Sequence, residues 1–169
     1  MNIPLTPLRF LRYAEQQYPG RAAVVCNDDR FTYTQFAERT ARLAGALRQA
    51  GIKPGDRVAF LSTNCHRLLE AYYGVLEAGA VLLPLNIRLA PSELAYILDE
   101  AGATILFVEK QFLGAVDSFR KDIPSVRIFC QLDGAPEAPW LAPHNYESLL
   151  DAATPYRSDI NSIDENALA

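Results

Sequence analysis

Between residues 57 and 130 the chain alternates short apolar runs with helical periods, and this alternation limits the possible folds more than any other feature. The runs 57–62, 81–85, 104–108 and 126–130 read as strands. Segments 64–78, 91–101 and 111–121 lie between them, with apolar residues at spacings of three and four. Strands separated by helices do not pair as hairpins. They require right-handed βαβ crossovers, and so a doubly wound α/β layer. The run 81–85 is almost wholly apolar, the pattern of a strand covered on both faces. The helix at 64–78 carries Leu68, Leu69, Tyr72, Val75 and Leu76, a wide stripe that predicts deep burial.

Ahead of this layer, residues 6–18 predict a helix. Thr6 can cap it, Pro7 suits its first position, and Leu8, Leu11, Ala14 and Tyr18 share a face. Residues 22–26 and 30–33 read as short strands joined by the turn Asn27-Asp28-Asp29. Segment 34–50 is a helix with Phe36, Thr40, Leu43 and Leu47 recurring along one side, closed by Gly51. Beyond Leu132 the prolines at 136, 139, 143 and 155 loosen the texture. Residues 133–169 therefore read as a loop-rich connection with one short helix at 146–152, becoming a polar surface connection from Arg157. The expected fold class is α/β, a largely parallel sheet flanked by helices with a short N-terminal β-hairpin, and no internal repeat is visible.

Composition removes several function classes. Sixteen Lys and Arg against twenty Asp and Glu give a formal charge of −4, which offers no basic field to a nucleic acid. The three cysteines, Cys26, Cys65 and Cys130, lack CxxC spacing. They read as reduced thiols of a cytoplasmic chain, with neither a zinc site nor a disulfide framework. The uncharged stretch at 78–87 falls short of the ~20 residues that span a bilayer. Arg9, Arg12 and Glu15 occupy the place of a signal-peptide apolar core. Peripheral attachment of a longer parent to the inner membrane face stays open.

Ligands of open α/β sheets bind beyond the carboxyl ends of the strands. That rule selects Ser62-Thr63-Asn64, Asn86-Ile87-Arg88 and Glu109-Lys110. None carries the glycine spacing that lets backbone amides close around phosphate. Asn64 reads as a helix N-cap. His66 reads as a solvent-facing or capping residue, and His144 lies in the proline-rich loop. Asp28-Asp29 could imitate the acidic pocket of a phosphoacceptor receiver domain. The acids lead into a strand, however, and the strand ending at Ser62 lacks the acceptor Asp, so a surface turn is the better reading. Tyr72 and Tyr73 read as helix packing. Arg88, just past a strand, can present a five-donor fork to phosphate or carboxylate; a salt bridge or a solvated loop charge is the alternative. No catalytic residue and no metal-ligand set emerges.

Taken in order, several stretches resemble the beginning of an acyl-CoA synthetase of the adenylate-forming superfamily, most like the fatty-acid–CoA ligases. They are Tyr18-Pro19-Gly20-Arg21-Ala22-Ala23-Val24-Val25, Thr32-Tyr33-Thr34-Gln35-Phe36, Gly51-Ile52-Lys53-Pro54-Gly55-Asp56-Arg57-Val58-Ala59 and Asn64. Gly74-Val75-Leu76-Glu77-Ala78-Gly79-Ala80-Val81, Leu85-Asn86-Ile87-Arg88-Leu89, Glu93-Leu94-Ala95-Tyr96-Ile97-Leu98 and Asp164-Glu165-Asn166 follow. The resemblance extends from about Leu5 over nearly the whole chain.

The resemblance implies that residues 1–169 are the first portion of the large N-terminal domain of an AMP-binding enzyme. The phosphate loop would begin soon after Ala169, and the C-terminal domain with its catalytic Lys is absent. The parent would use ATP, Mg²⁺ and CoA to activate a medium- or long-chain fatty acid; this portion alone would hold no cofactor and be inactive. Arg88 matches the Asn-x-Arg-Leu element, which implies a CoA-binding role. The alternatives are an aryl-CoA ligase, a peptide-synthetase adenylation domain, or a non-catalytic α/β interaction module. A severed domain would also self-associate, through the helix at 64–78 or an open sheet edge.

Overall fold

Four parallel strands in the order β4-β3-β5-β6 make the central sheet. They are β3 (Arg57–Leu61), β4 (Val81–Pro84), β5 (Ala103–Val108) and β6 (Ile128–Gln131). The structure is a computed structural model that describes residues 6–161. Leu5 and the Asp164-Glu165-Asn166 element lie outside the described residues. Val58 stands beside Leu82 on one side and Ile105 on the other, and Ile105 in turn beside Ile128.

Because successive strand residues face opposite ways, the sheet builds two cores. Val58, Phe60, Ile105 and Phe107 face α2 (Tyr33–Gln49), α3 (His66–Glu77) and α6 (Tyr146–Ala152), meeting Leu43, Leu47, Val75 and Tyr146. Ala59, Leu61, Leu106 and Val108 face α4 (Pro91–Ala101) and α5 (Leu113–Phe119), meeting Leu94, Leu98, Val116 and Phe119. Phe60 and Phe107 stack at 4.6 Å, and Tyr146 meets Phe107 edge-on. The expectation that residues 81–85 form a strand covered on both faces needs correcting. β4 is an edge strand, and its residues are half-buried or exposed.

The N-terminal helix α1 (Pro7–Gln17) starts at Thr6, whose hydroxyl accepts from the Leu8 amide. β1 (Ala22–Cys26) and β2 (Asp29–Thr32) form a separate antiparallel hairpin. Its turn is shorter than the sequence indicates. Asp29 already pairs with Cys26, and Asn27 takes the left-handed conformation at φ 55°, which asparagine tolerates well. The second strand also ends one residue early, because Thr32 caps α2. The Thr32 hydroxyl accepts from the Gln35 amide while the Gln35 side chain accepts from the Thr32 amide, the reciprocal pairing that makes a helix start stable.

In α3 the structure departs furthest from expectation. Asn64 is an exposed bend and not the N-cap; Cys65 holds that position without a side-chain cap bond. Nor is the apolar stripe buried as a whole, although Val75 is enclosed and Leu68 packs against the core. Leu69 and Tyr72 are exposed, while the inward face carries His66, Glu70, Ala71, Gly74, Val75 and Glu77. The reason is the closeness of α2. A Cβ on Gly74 would stand 2.7 Å from the Leu43 side chain and 2.9 Å from the Thr40 carbonyl. Only a small residue fits at that crossing, while Leu69 and Tyr72 turn outward. The helix expected at 111–121 is also broken, with 3₁₀ turns at Lys110–Phe112 and Arg120–Asp122 flanking α5.

After α6, capped by Asn145 onto the Ser148 amide, residues 154–161 cross the surface as a strap. The Tyr156 amide donates to the Ala41 carbonyl at 2.9 Å, and Arg48 stacks on the Tyr156 ring. Gly45 makes room for the Thr154 carbonyl, which fills the place of a side chain. Among the described residues, no helix is long and apolar enough to cross a membrane.

Candidate functional site

Of the three predicted strand-end segments, the fold joins two. Glu109 follows β5 and turns back beneath the loop after β3. One of its oxygens accepts from the Ser62 hydroxyl at 2.8 Å, the Thr63 hydroxyl at 2.8 Å and the Thr63 amide at 3.1 Å. The other accepts from the Gln111 amide group at 2.6 Å. Burial alone would raise this carboxyl, but the donors from Thr63, Ser62 and Gln111 outweigh it and hold Glu109 below the usual range. An ionised carboxylate with both oxygens engaged is a brace between two loops, ill suited to serve as a base or a metal ligand. Lys110 is likewise occupied. Its amide donates to Asp133 at 2.7 Å and its ammonium to Glu137 at 2.6 Å, and the Glu137 pairing raises its pKa.

The third segment stands apart. Asn86 accepts from the Arg88 amide at 3.0 Å, closing a tight turn after β4. Arg88 is exposed, and no hydrogen bond, ion pair or ring contact engages its guanidinium among the described residues. Among the described residues the salt-bridge alternative finds no partner. Arg88 is a solvated cation on a turn that a side-chain oxygen has already ordered. No hydrogen bond connects it to the Glu109 brace among the described residues.

A second constellation was not legible in the sequence. Glu70 of α3, fully buried, takes Arg39 of α2 through both oxygens at 2.6 and 3.2 Å and the Tyr146 hydroxyl of α6 at 2.7 Å. Arg39 reaches on to Glu147 at 2.9 Å, which also holds Arg67 at 2.8 Å. Burial and then Glu70 push the Tyr146 phenol well above its ordinary value. For Glu147, burial pulls upward, yet His66, Arg39 and Arg67 together bring it down to about 2. His66, expected at the surface, is buried. Its ring packs on Phe31 at 5.2 Å, with Asp29 3.6 Å from one nitrogen and Glu147 3.7 Å from the other. Its acidic neighbours come from the hairpin and α6, which is why local sequence did not show them. Asp29 is thus a hairpin residue facing His66. The signal that could have found Glu70 and Glu77 is their seven-residue spacing on the face of Ala71 and Gly74.

Tyr73 packs edge-on against Phe36 as expected, whereas Tyr72 opens onto a groove. That groove, about 540 Å³, is lined by Pro7, Leu69, Tyr72, Tyr73, Leu76, Leu82 and Pro84. All three cysteines are free, and burial raises the Cys130 thiol to about 12, so it is no nucleophile. Among the described residues, no cluster of three or more His, Cys, Asp or Glu could hold a metal ion. Arg88, on its turn after β4, presents its guanidinium to solvent.

Comparison with known proteins agrees with this architecture. Residues 11–168 match the family described as AMP-binding enzyme. The chain is 40% identical over 129 residues to a long-chain-fatty-acid–CoA ligase of Thermus thermophilus, covering 76% of this chain and 23% of that enzyme. It is also 40% identical over 111 residues to a peroxisomal benzoate–CoA ligase of Arabidopsis thaliana, covering 66% of this chain and 19% of that enzyme. The crystal structure of the anthranilate CoA ligase AuaEII with anthranoyl-AMP superposes with a TM-score of 0.85 at 20% identity, over 94% of this chain and 30% of that one. The chain spans about a quarter or less of the length of the curated relatives it matches. With the family matched along nearly its full length and the α/β fold shared, the chain belongs to the AMP-binding enzymes.

Proposed function

We propose that this chain is the opening α/β portion of the large N-terminal domain of an ATP-dependent acyl-CoA ligase that activates a medium- or long-chain fatty acid. The observation that carries the reading is the 40% identity, over 129 residues, to a long-chain-fatty-acid–CoA ligase. In such a ligase the carboxylate attacks the α-phosphate of Mg-ATP, releasing pyrophosphate, and the CoA thiol then displaces AMP. Within that scheme residues 1–169 are scaffold. The Glu109 brace fixes the loops after β3 and β5, and Arg88 pairs with a CoA phosphate. The acyl pocket and the triphosphate grip belong to the remainder of the parent, so the chain alone forms no adenylate. An aryl-CoA ligase is the second reading, favoured by equal identity to a benzoate–CoA ligase over a shorter stretch.

ATP–pyrophosphate exchange, run on the chain and on its parent with fatty and aryl acids, tests this reading. Exchange is expected in the parent alone, fastest with the fatty acid; exchange by the chain itself refutes it. In the parent, Arg88→Ala should raise the CoA KM roughly tenfold, the loss of one charge-assisted contact, and leave exchange unchanged. An unaltered CoA dependence removes Arg88 from the site. The open edge of β4 and the outward rings of α3 also favour self-association of the isolated chain, which a monomeric mass by light scattering would contradict. Three free cysteines suit a cytoplasmic location.

A further inference from the structure

We propose that α1 and the strap at 154–161 form one hinged unit, latched on Glu77, that undocks from α2 and α3 as a whole. On the strap side the unit is anchored by Tyr156, whose ring packs on the core beneath Arg48 and whose amide donates to Ala41; on the helix side its apolar anchors are few. α1 buries only Leu8 and Leu11, while Phe10 and Tyr13 stand in solvent. Much of its remaining attachment is polar. Glu77, 7% exposed at the end of α3, gathers three donors on a single oxygen: Arg12 at 2.6 Å, the Ser158 hydroxyl at 2.9 Å and the Ser158 amide. Arg12 also donates to the Ser158 carbonyl at 2.7 Å. One turn further along α1, Glu15 takes Arg157 through both oxygens at 2.7 and 2.9 Å. At the other end of the helix, Arg9 donates to the Asn161 side chain at 2.9 Å.

These contacts make separate departure unfavourable. If α1 left alone, Glu77 would lose Arg12, and Arg157 would lose Glu15. If the strap left alone, Glu77 would keep one donor of three. The carboxylate sits at a helix C-terminus, where the macrodipole opposes a negative charge, so it depends on those donors. Stripping one partner from a buried charge is far costlier than returning the whole set to water together, and concerted opening is the favoured route. The opening also has a structural result. Pro7 borders the groove on α3; Phe10, Leu11 and Ala14 border a second groove against the hairpin; Leu69 and Tyr73 line both. Departure of α1 joins the two grooves into one apolar trough.

Hydrogen exchange on the 169-residue chain reads the coupling. Arg157→Gln breaks the Glu15 pair near the surface, and Glu77→Gln removes the central charge. Exchange should quicken roughly tenfold in the first variant and roughly a hundredfold in the second. The change should be equal in α1 and in residues 154–161, with β3, β5 and α4 at wild-type rates. Binding of the apolar dye ANS should rise in parallel. Acceleration confined to the strap overturns the proposal, as does no acceleration in Arg157→Gln or an equal rise across β3 and β5. If Glu77→Gln does not fold, Arg157→Gln decides alone. Arg157→Lys, which keeps the charge pair, should then return α1 and the strap toward wild-type rates.

Discussion

Removing the Glu70 side chain should unsettle the packing of α2, α3 and α6. The carboxylate is fully buried and holds Arg39 and the Tyr146 hydroxyl. Glu70→Ala leaves that hydroxyl without an acceptor in the core, at a cost of about 1–3 kcal/mol. Breaking a buried ion pair costs about 3–5 kcal/mol. Arg39, however, is 20% exposed and keeps Glu147, so the lower end of each range applies. The sum is about 4 kcal/mol. At about 2–4 °C per kcal/mol for a chain of this size, Tm falls by about 8–16 °C. Urea unfolding should show a lower midpoint with an unchanged slope, since the surface exposed on unfolding is the same. Glu70→Gln keeps the shape and one acceptor and should lose about half as much. Tyr146→Phe should cost about 1–2 kcal/mol, and the double variant should lose less than the sum of the single losses. A drop in Tm below about 3 °C for Glu70→Ala would show that the carboxylate does not organise these helices.

Two further outcomes follow from the same geometry. Gly45→Ala would gain about 1 kcal/mol of helix propensity, yet its methyl group collides with the Thr154 carbonyl. The strap must lift, so net stability should fall by about 1–2 kcal/mol with loss of Tyr156 amide protection; a raised Tm would contradict this. Glu147 lies near 2 in the folded protein against an ordinary 4.5, so the folded state binds this proton less readily than the unfolded chain. Its contribution is therefore complete above about pH 4.5 and lost as pH falls through about 2. With 37% of the side chain in solvent, screening limits it to about 1–2 kcal/mol. Glu147→Gln should flatten this acid limb in urea titrations at pH 6 and pH 3, and parallel curves would refute the assignment.

Legibility in the sequence followed the range of the interactions. Every central strand and α4 were readable because hydrophobic period and caps act within a few residues, as Pro91 and Gly102 do at the two ends of α4. The start of α2 at Tyr33 was hidden by the β-prone run before it, although Thr32 and Gln35 carry the capping signal. What sequence could not show was partnership at a distance. Glu70 and Tyr146 are 76 positions apart, and His66 meets acids from the hairpin and α6. Ser62 and Glu109 are each marked in the sequence by their place after a strand. That they bond each other depends on β3 and β5 being neighbours in the sheet. Arg88 stands out in the sequence by its place just past a strand, and its lack of a partner among the described residues is a property of the folded state.

The mixed polarity of the inner face of α3 has a practical consequence. A helix whose inner face is closed by His66, Glu70, Ala71, Gly74, Val75 and Glu77 owes little of its hold to Leu69 and Tyr72. Hydropathy-guided editing would guard those two side chains and discard Glu70 and Glu77, which reverses their real importance. Replacing the outward pair with lysine or glutamate offers a route to a more soluble protein that leaves the interior untouched.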